Sequence, residues 1–276
     1  MPELGVDDFL IARTDEVVRR IAEGGGPIVV AMSGGVDSSV VAALAFDALG
    51  EQAVAVTLTG PAIARREVER AARVARTIGI EHRPIAVDPL AVASYRENPS
   101  NRCFFCRSVE AAALTAEGAK RGARQYVDGI HRDDLGEDRP GITAMERAGF
   151  RHPLADAGWR KADVRSEARR RALPNWDEPS DACLASRVAH GDPIDRELLS
   201  RIERAEELVR TLGFRQVRVR VRAGVARIEV EPEGVGRLSV PSVTVPLTEQ
   251  LTRLGFAQVT IDPAGYHGLL PPVGAR

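Results

Sequence analysis

Apolar residues recur along the chain in two rhythms. Over residues 7–23 they fall at helical spacing, at Phe9, Leu10, Val17, Val18 and Ile21, which predicts an amphipathic helix ended by Gly24-Gly25-Gly26-Pro27. Residues 28–32 form an unbroken apolar run instead, the pattern of a strand buried on both faces of a parallel sheet. A glycine-rich turn follows, and then an apolar helix over 40–46 stopped by Gly50. The alternation continues with a strand over 53–58, a helix over 65–78 closed by Gly79, and a strand over 85–87. It ends with a helix over 107–118, a strand over 125–129, and a helix over 160–172 whose outer face is strongly basic. Strand alternating with helix predicts an α/β fold, a doubly wound parallel sheet.

Beyond residue 195 the rhythm changes. A helix over 196–212, with Ile202, Leu208 and Leu212 on one side, precedes strands over 216–222 and 226–231 joined by Ala223-Gly224-Val225. A helix near 243–255 and a strand over 257–261 complete a small α+β domain. Gly191-Asp192-Pro193 breaks the chain between them. The expected domains are therefore 1–192 and 193–276, without internal repeats or low-complexity tracts.

Composition narrows the function. With 276 residues, 44% hydrophobic and 28% charged, the chain can bury a real core. Its net charge of −1 supplies no global attraction for nucleic acid, so an anionic ligand must be held by local clusters. Arginine greatly outnumbers lysine, Lys120 and Lys161 being the two lysines present. No apolar run approaches the roughly 18 residues of a membrane helix. The acidic N-terminus lacks the basic-then-apolar order of a signal peptide, so a cytoplasmic location is expected. In that compartment the three cysteines are not expected to form structural disulfides.

The chemistry concentrates first in Ser33-Gly34-Gly35-Val36-Asp37-Ser38-Ser39, between a buried strand and a helix. The glycines permit positive φ and close backbone approach, and a helix beginning near Ser38 points N–H groups at an anion. Ser33, Ser38 and Ser39 add hydroxyls. Asp37 suits an anion site only when a divalent cation accompanies the phosphates, so it implies Mg²⁺. There is no G-x-x-x-x-G-K-[ST], hence no Walker loop. The spacing resembles the PP-loop of the N-type ATP pyrophosphatases, which cut ATP between its α and β phosphates.

Three later segments carry further candidates. Arg102-Cys103-Phe104-Phe105-Cys106-Arg107 holds a C-x-x-C, and the stretch 128–141 reads D-G-x-x-x-D-D followed by R-P-G, with His152-Pro153-Leu154 beyond. The stretch 179–187 contains Ala182-Cys183-Leu184-Ala185-Ser186-Arg187. Together these resemble the LarE family, ATP-dependent sulfur transferases that build the nickel-pincer nucleotide cofactor, from about residue 10 to Tyr266. The resemblance implies adenylation of a carboxylate on a pyridinium dicarboxylate mononucleotide with release of pyrophosphate. Cys183 then displaces AMP to give a thioester. Gly129, Asp133 and Asp134 are candidates to bind ATP with Mg²⁺ alongside the PP-loop residues, and the resemblance implies a homo-oligomer, often a hexamer.

Several residues fit that chemistry on their own account. Arg187 follows Cys183 closely, and Arg102 and Arg107 flank the other cysteines, where cations favour thiolate. Asp133 and Asp134 are placed to position a nucleotide or Mg²⁺, or else form a solvated loop. Arg218, Arg220 and Arg222 alternate along a strand and share a face suited to a substrate phosphate or carboxylate, with Glu229 on the adjoining strand. The alternative is a solvent-facing strand with surface ion pairs.

Single-cysteine members of the family sacrifice their cysteine sulfur. This chain has Cys103, Cys106 and Cys183, and three thiolates can hold a 4Fe–4S cluster with one iron open to external sulfide, as cluster-bearing relatives do. A sacrificial Cys183, a redox-active C-x-x-C, and a Zn²⁺ site completed by His131 or His152 remain as alternatives. His131 stands where the family more often has asparagine and receives no role. The competing functions are a PP-loop tRNA sulfur transferase, which should carry a basic surface, and a non-catalytic nucleotide or redox sensor.

Overall fold

The computed structural model describes residues 6–135, 140–179 and 181–266, with side chains from residue 10 onward. The Phe9 side chain, residues 136–139 of the D-G-x-x-x-D-D to R-P-G stretch, and Ser180 lie outside the described residues. The strands are β1 (Ile28–Ala31), β2 (Ala53–Thr59), β3 (Glu81–Ala86), β4 (Gln125–Val127), β5 (Phe150–Arg151), β6 (Val217–Arg222), β7 (Val225–Val230) and β8 (Gln258–Ile261). The helices are α1 (Val6–Gly24), α2 (Val36–Leu49), α3 (Arg65–Ile78), α4 (Ala93–Arg96), α5 (Arg102–Ala119), α6 (Pro140–Arg147), α7 (Pro153–Asp156), α8 (Lys161–Arg170), α9 (Arg196–Thr211), α10 (Val235–Leu238) and α11 (Pro241–Arg253).

Five strands form one sheet in the order β3-β2-β1-β4-β5, every pair parallel. The apolar run of β1 is buried on both faces because alternate residues feed two cores. Ile28 and Val30 pack with Val17 of α1, Val40 of α2, Val74 of α3 and Val164 of α8. Val29 joins Val54, Ala111 and Leu114 of α5, Met145 and Phe150 on the opposite side. Each fully buried valine or leucine contributes about 1.5–3 kcal/mol. The doubly wound α/β fold is thus present. α2 is buried nearly all round from Val36 to Ala45, as a helix apolar on every side must be.

Sequence rhythm misplaced some boundaries. α2 starts at Val36, not Val40, because Asp37, Ser38 and Ser39 of its first turn interrupt the apolar pattern even though Val36 joins the core. β3 begins at Glu81, not Ile85: as an edge strand it exposes Glu81 and Arg83 and has no apolar run to mark it. β5 and α6 are too short for periodicity to register.

The second sheet has the order β6-β7-β8, antiparallel then parallel. Val217, Val219 and Val221 of β6 and Ala226, Ile228 and Val230 of β7 are buried. α9, which packs against β6, buries Leu199, Ile202, Ala205 and Val209. The expected stripe through Leu212 is shifted: Leu212 caps the helix and is 39% exposed.

The chain divides into two compact units, Met1–Pro89 with Cys103–Ser180, and Leu90–Arg102 with Asp181–Arg276. A single cut after residue 192 does not describe this division. Residues 90–102 join the second unit through Asn98, whose Nδ2 donates to the carbonyls of Ala189 (2.8 Å) and Asp192 (2.9 Å), and through Ile194 N–H to the Arg96 carbonyl (2.8 Å). Such long-range bonds leave no mark on local periodicity. Among the described residues, no helix is long and apolar enough to cross a membrane.

Candidate functional site

In the first unit, β1 and β4 are neighbours while their outer partners are β2 and β5, so the strand order reverses between them. Crevices at such switch points, beyond the carboxyl ends of the strands, are where open α/β sheets bind ligands. Two loops emerge there. Residues 33–35 follow β1 into α2, and residues 128–134 follow β4 into a 3₁₀ turn at Arg132–Asp134. They touch closely: a Cβ on Gly129 would lie 2.5 Å from the Ser38 nitrogen, which is why the position is glycine. Gly34 has φ +83°, and a Cβ there would meet the Glu67 carbonyl of α3 at 2.6 Å.

The loop is internally braced. Ser33 N–H donates to Ser38 Oγ (3.1 Å), and the Ser38 and Ser39 hydroxyls both donate to the Gly35 carbonyl (3.1 and 2.8 Å). Ser33 is exposed, Ser38 is buried, and Ser39 lies fully buried beneath the loop, where its hydroxyl holds the loop. Gly35 caps α2, whose first turn leaves N–H groups without intrahelical acceptors at the mouth of the crevice.

Asp37 points to a residue that motif reading missed. Lys161 Nζ, at the start of α8, donates to both Asp37 carboxylate oxygens at 2.7 Å. His131 Nε2 lies 3.7 Å from the same carboxylate. The acidic pair arranges these partners. Asp133 accepts the Lys161 backbone N–H (2.9 Å), fixing the start of α8, and Asp134 accepts the His131 N–H (3.1 Å). Asp133 and Asp134 thus brace the protein's own backbone, Asp133 while exposed to solvent. The available signal for Lys161 was its rarity: it is one of two lysines in the chain.

Behind this crevice, His152 Nδ1 is 2.7 Å from Asp128 Oδ1. Burial disfavours the imidazolium, but the hydrogen bond and charge of Asp128, with Glu146 and Asp156, prevail and raise the His152 pKa. Asp128 also accepts the Ile130 N–H (3.1 Å), anchoring the loop that carries Gly129.

For Mg²⁺ the chain offers Asp37, and one carboxylate with substrate phosphates is a usual way to hold that ion. The residues fit. Among the described residues no group of three metal-ligating side chains is assembled. Cys103 and Cys106 lie three apart on α5 and share a face, fit to serve as two ligands of one group, while Cys183 belongs to the second unit. No disulfide links the three. Cys106 Sγ donates to Glu110 Oε1 (3.3 Å), whose other oxygen takes Arg107 (2.9 Å). Arg102 is buried, donating to Asn98 Oδ1 and to the Val188 carbonyl, so its charge is spent within the second unit.

In the second unit Cys183 precedes a 3₁₀ turn at Leu184–Arg187. Arg187, expected at a substrate, is buried. Its Nη1 donates to the Ala182 and Cys183 (3.1 Å) carbonyls, while Nε reaches Glu206 Oε1 (2.7 Å) and Nη2 reaches Asp181 (3.2 Å). Burial opposes its charge, yet Glu206 and Asp181 outweigh it and raise its pKa. Arg218 is buried as well, 3.1 Å from Asp181 and stacked under Tyr266, and burial with repulsion from Arg187 lowers its pKa. Arg220 Nε donates to Glu229 Oε1 (2.7 Å), and Arg227 shares that oxygen (3.1 Å). Arg222 is exposed. The three arginines thus form a graded face from core to solvent.

Comparison with known proteins agrees with this geometry. The NAD synthase family model matches residues 11–119, the segment holding β1, the loop and α2. An uncharacterised protein of Synechocystis is 40% identical over 86% of this chain and 88% of its own length. The pyridinium-3,5-bisthiocarboxylic acid mononucleotide synthase of Lactiplantibacillus plantarum is 31% identical over 87% of this chain and 86% of its own. A tRNA-specific 2-thiouridylase of Xanthobacter autotrophicus is 29% identical over 88% of this chain and 74% of its own. With this loop at the switch point and relatives matched over most of their length, the chain belongs to the LarE family of PP-loop proteins.

Proposed function

We infer that this chain is an ATP-dependent sulfur transferase acting on a pyridinium dicarboxylate mononucleotide, in synthesis of the nickel-pincer cofactor. The observation that carries the reading is the loop Ser33–Ser39 at the sheet's switch point, with Lys161 seated on Asp37. A substrate carboxylate attacks the α-phosphorus of ATP, the α–β bridge breaks, and pyrophosphate leaves. The N–H groups at the start of α2 and the Lys161 ammonium receive the departing negative charge. Asp37 would hold Mg²⁺ together with the phosphates, and the ion would offset their negative charge. In the sacrificial alternative the Cys183 thiolate attacks the acyl carbon, AMP leaves, and the Cβ–S bond of the resulting thioester breaks to leave sulfur on the substrate. With Cys183 as a cluster ligand, external sulfide displaces AMP instead.

The cysteines Cys103, Cys106 and Cys183 are proposed ligands of a 4Fe–4S cluster, which when bound supplies an open iron for external sulfide and so spares the protein's own sulfur. Iron and acid-labile sulfide in anaerobically purified protein test this: about four irons per chain, lost in Cys103→Ala, support it. Absence of iron after reconstitution leaves sacrificial Cys183. The function itself is tested by mass spectrometry of the product, where sulfur-for-oxygen exchange in the pyridinium carboxylates is expected. Homo-oligomer formation in the cytoplasm is part of this reading, and light scattering at the monomer mass would contradict the first half.

The 2-thiouridylase relatives favour a second reading, thiolation of tRNA. The net charge of −1 speaks against it. Binding of tRNA at moderate salt would revive it.

A further inference from the structure

Beneath the phosphate loop, two buried donors from different elements converge on one carbonyl. Arg70 Nε of α3 donates to the Gly34 oxygen at 2.8 Å, and Asn175 Nδ2, in the turn after α8, donates to the same oxygen at 2.8 Å. Arg70 is 7% exposed and Asn175 is 1% exposed. A carbonyl oxygen has two lone pairs, so these donors fill it. Asn175 Nδ2 also reaches Ser39 Oγ at 2.9 Å, and that hydroxyl donates onward to the Gly35 carbonyl. The turn bearing Asn175 is itself held by Arg165, which donates to the carbonyls of Trp176 (3.0 Å) and Glu178 (3.1 Å).

The peptide so gripped joins two glycines, Gly34 and Gly35, whose lack of side chains lets the plane rotate at little steric cost. In a trans peptide the carbonyl of Gly34 and the N–H of Gly35 point in opposite directions. Holding the oxygen therefore fixes the aim of the N–H at the N-cap of α2, which here donates to the exposed Ser33 hydroxyl at 3.3 Å, so a phosphate oxygen would replace or share that acceptor. Arg70 is not itself an anion ligand in this arrangement: its Nε is spent on Gly34, and Nη1 lies 3.8 Å from the Glu178 carboxylate.

We propose that Arg70 and Asn175 are positioning residues that lock the Gly34–Gly35 peptide in the orientation that receives the β- and γ-phosphates of ATP. They touch no phosphate and act through the loop. This rests on reading Ser33–Ser39 as an ATP phosphate loop, and it adds two residues that neither the loop motif nor the cysteine segments contain.

The test compares ligands that differ in the phosphates they present. Calorimetric affinities for ATP, inorganic pyrophosphate and AMP are measured with the full chain as wild type, Asn175→Ala and Arg70→Ala, with melting curves for each. Each variant is expected to lose about tenfold or more in affinity for ATP and pyrophosphate, a change of about 1.4 kcal/mol or more, with AMP affinity changed far less. Unchanged ATP affinity overturns the proposal and leaves the phosphate-loop reading intact. Equal losses for AMP and ATP overturn it too, since general loosening would act on both. Wild-type protein that binds neither ATP nor pyrophosphate overturns the loop reading and the proposal together. Should Asn175→Ala fail to fold, Arg70→Lys carries the same expectation, because its ammonium keeps the charge but lacks the planar Nε–H donor.

Discussion

At the scale of single residues, Lys161 carries the first prediction of the proposed ATP chemistry. Its ammonium lies 2.7 Å from both oxygens of Asp37 in the loop. Lys161→Ala should lower substrate-dependent pyrophosphate release on the order of 10²-fold, as removal of one charge-stabilising donor does elsewhere. A pyrophosphate assay on the purified variant checks this. His152 carries a different prediction. Its folded pKa is raised, so its protonation adds stability that is fully present below the ordinary value of about 6.5 and is lost as pH rises through the folded pKa. Melting temperatures above pH 6 should therefore fall more steeply for the wild type than for His152→Gln; parallel curves would contradict the Asp128 pairing. The loop residues Ser33 to Ser39 were legible because their spacing is a motif. Lys161, Asn175 and Arg70 were not, because each meets the loop from a distant part of the chain, and one basic or amide residue on a helix looks like any other.

At the scale of elements, the sheet could be read wherever burial on two faces forced an apolar run, as in β1 and β2. It could not be read at the edge, where β3 is polar and β5 has two residues. The arginine strand β6 shows the same limit from another side. Alternation placed Arg218, Arg220 and Arg222 on one face, but only packing shows that the face is graded, with Arg218 buried and Arg222 in solvent. Arg187 likewise sits inside the Cys183 turn, joined to Glu206 and to two carbonyls of that turn. Arg187→Ala takes one cation from buried Glu206, which keeps Arg210 (3.2 Å) and the Val219 N–H (3.1 Å), and should destabilise the second unit by about 3 kcal/mol, the lower end for a broken buried pair. Urea unfolding measures it; a loss within 1 kcal/mol, about the worth of an exposed pair, would contradict a buried network.

At the scale of the whole molecule, the fold places an anion-receiving helix end in one unit, and the second unit holds the Cys183 turn with its own buried charge network. The proposed adenylation and sulfur-transfer steps rest on different residues, so they should be separable by mutation. The most direct measurement follows AMP and pyrophosphate formed from ATP, with and without the pyridinium-3,5-dicarboxylic acid mononucleotide, in wild type and Cys183→Ala. The account predicts pyrophosphate release that requires the mononucleotide and persists in Cys183→Ala, while sulfur incorporation is lost in that variant. ADP and orthophosphate as products, or pyrophosphate release indifferent to the mononucleotide, would contradict it.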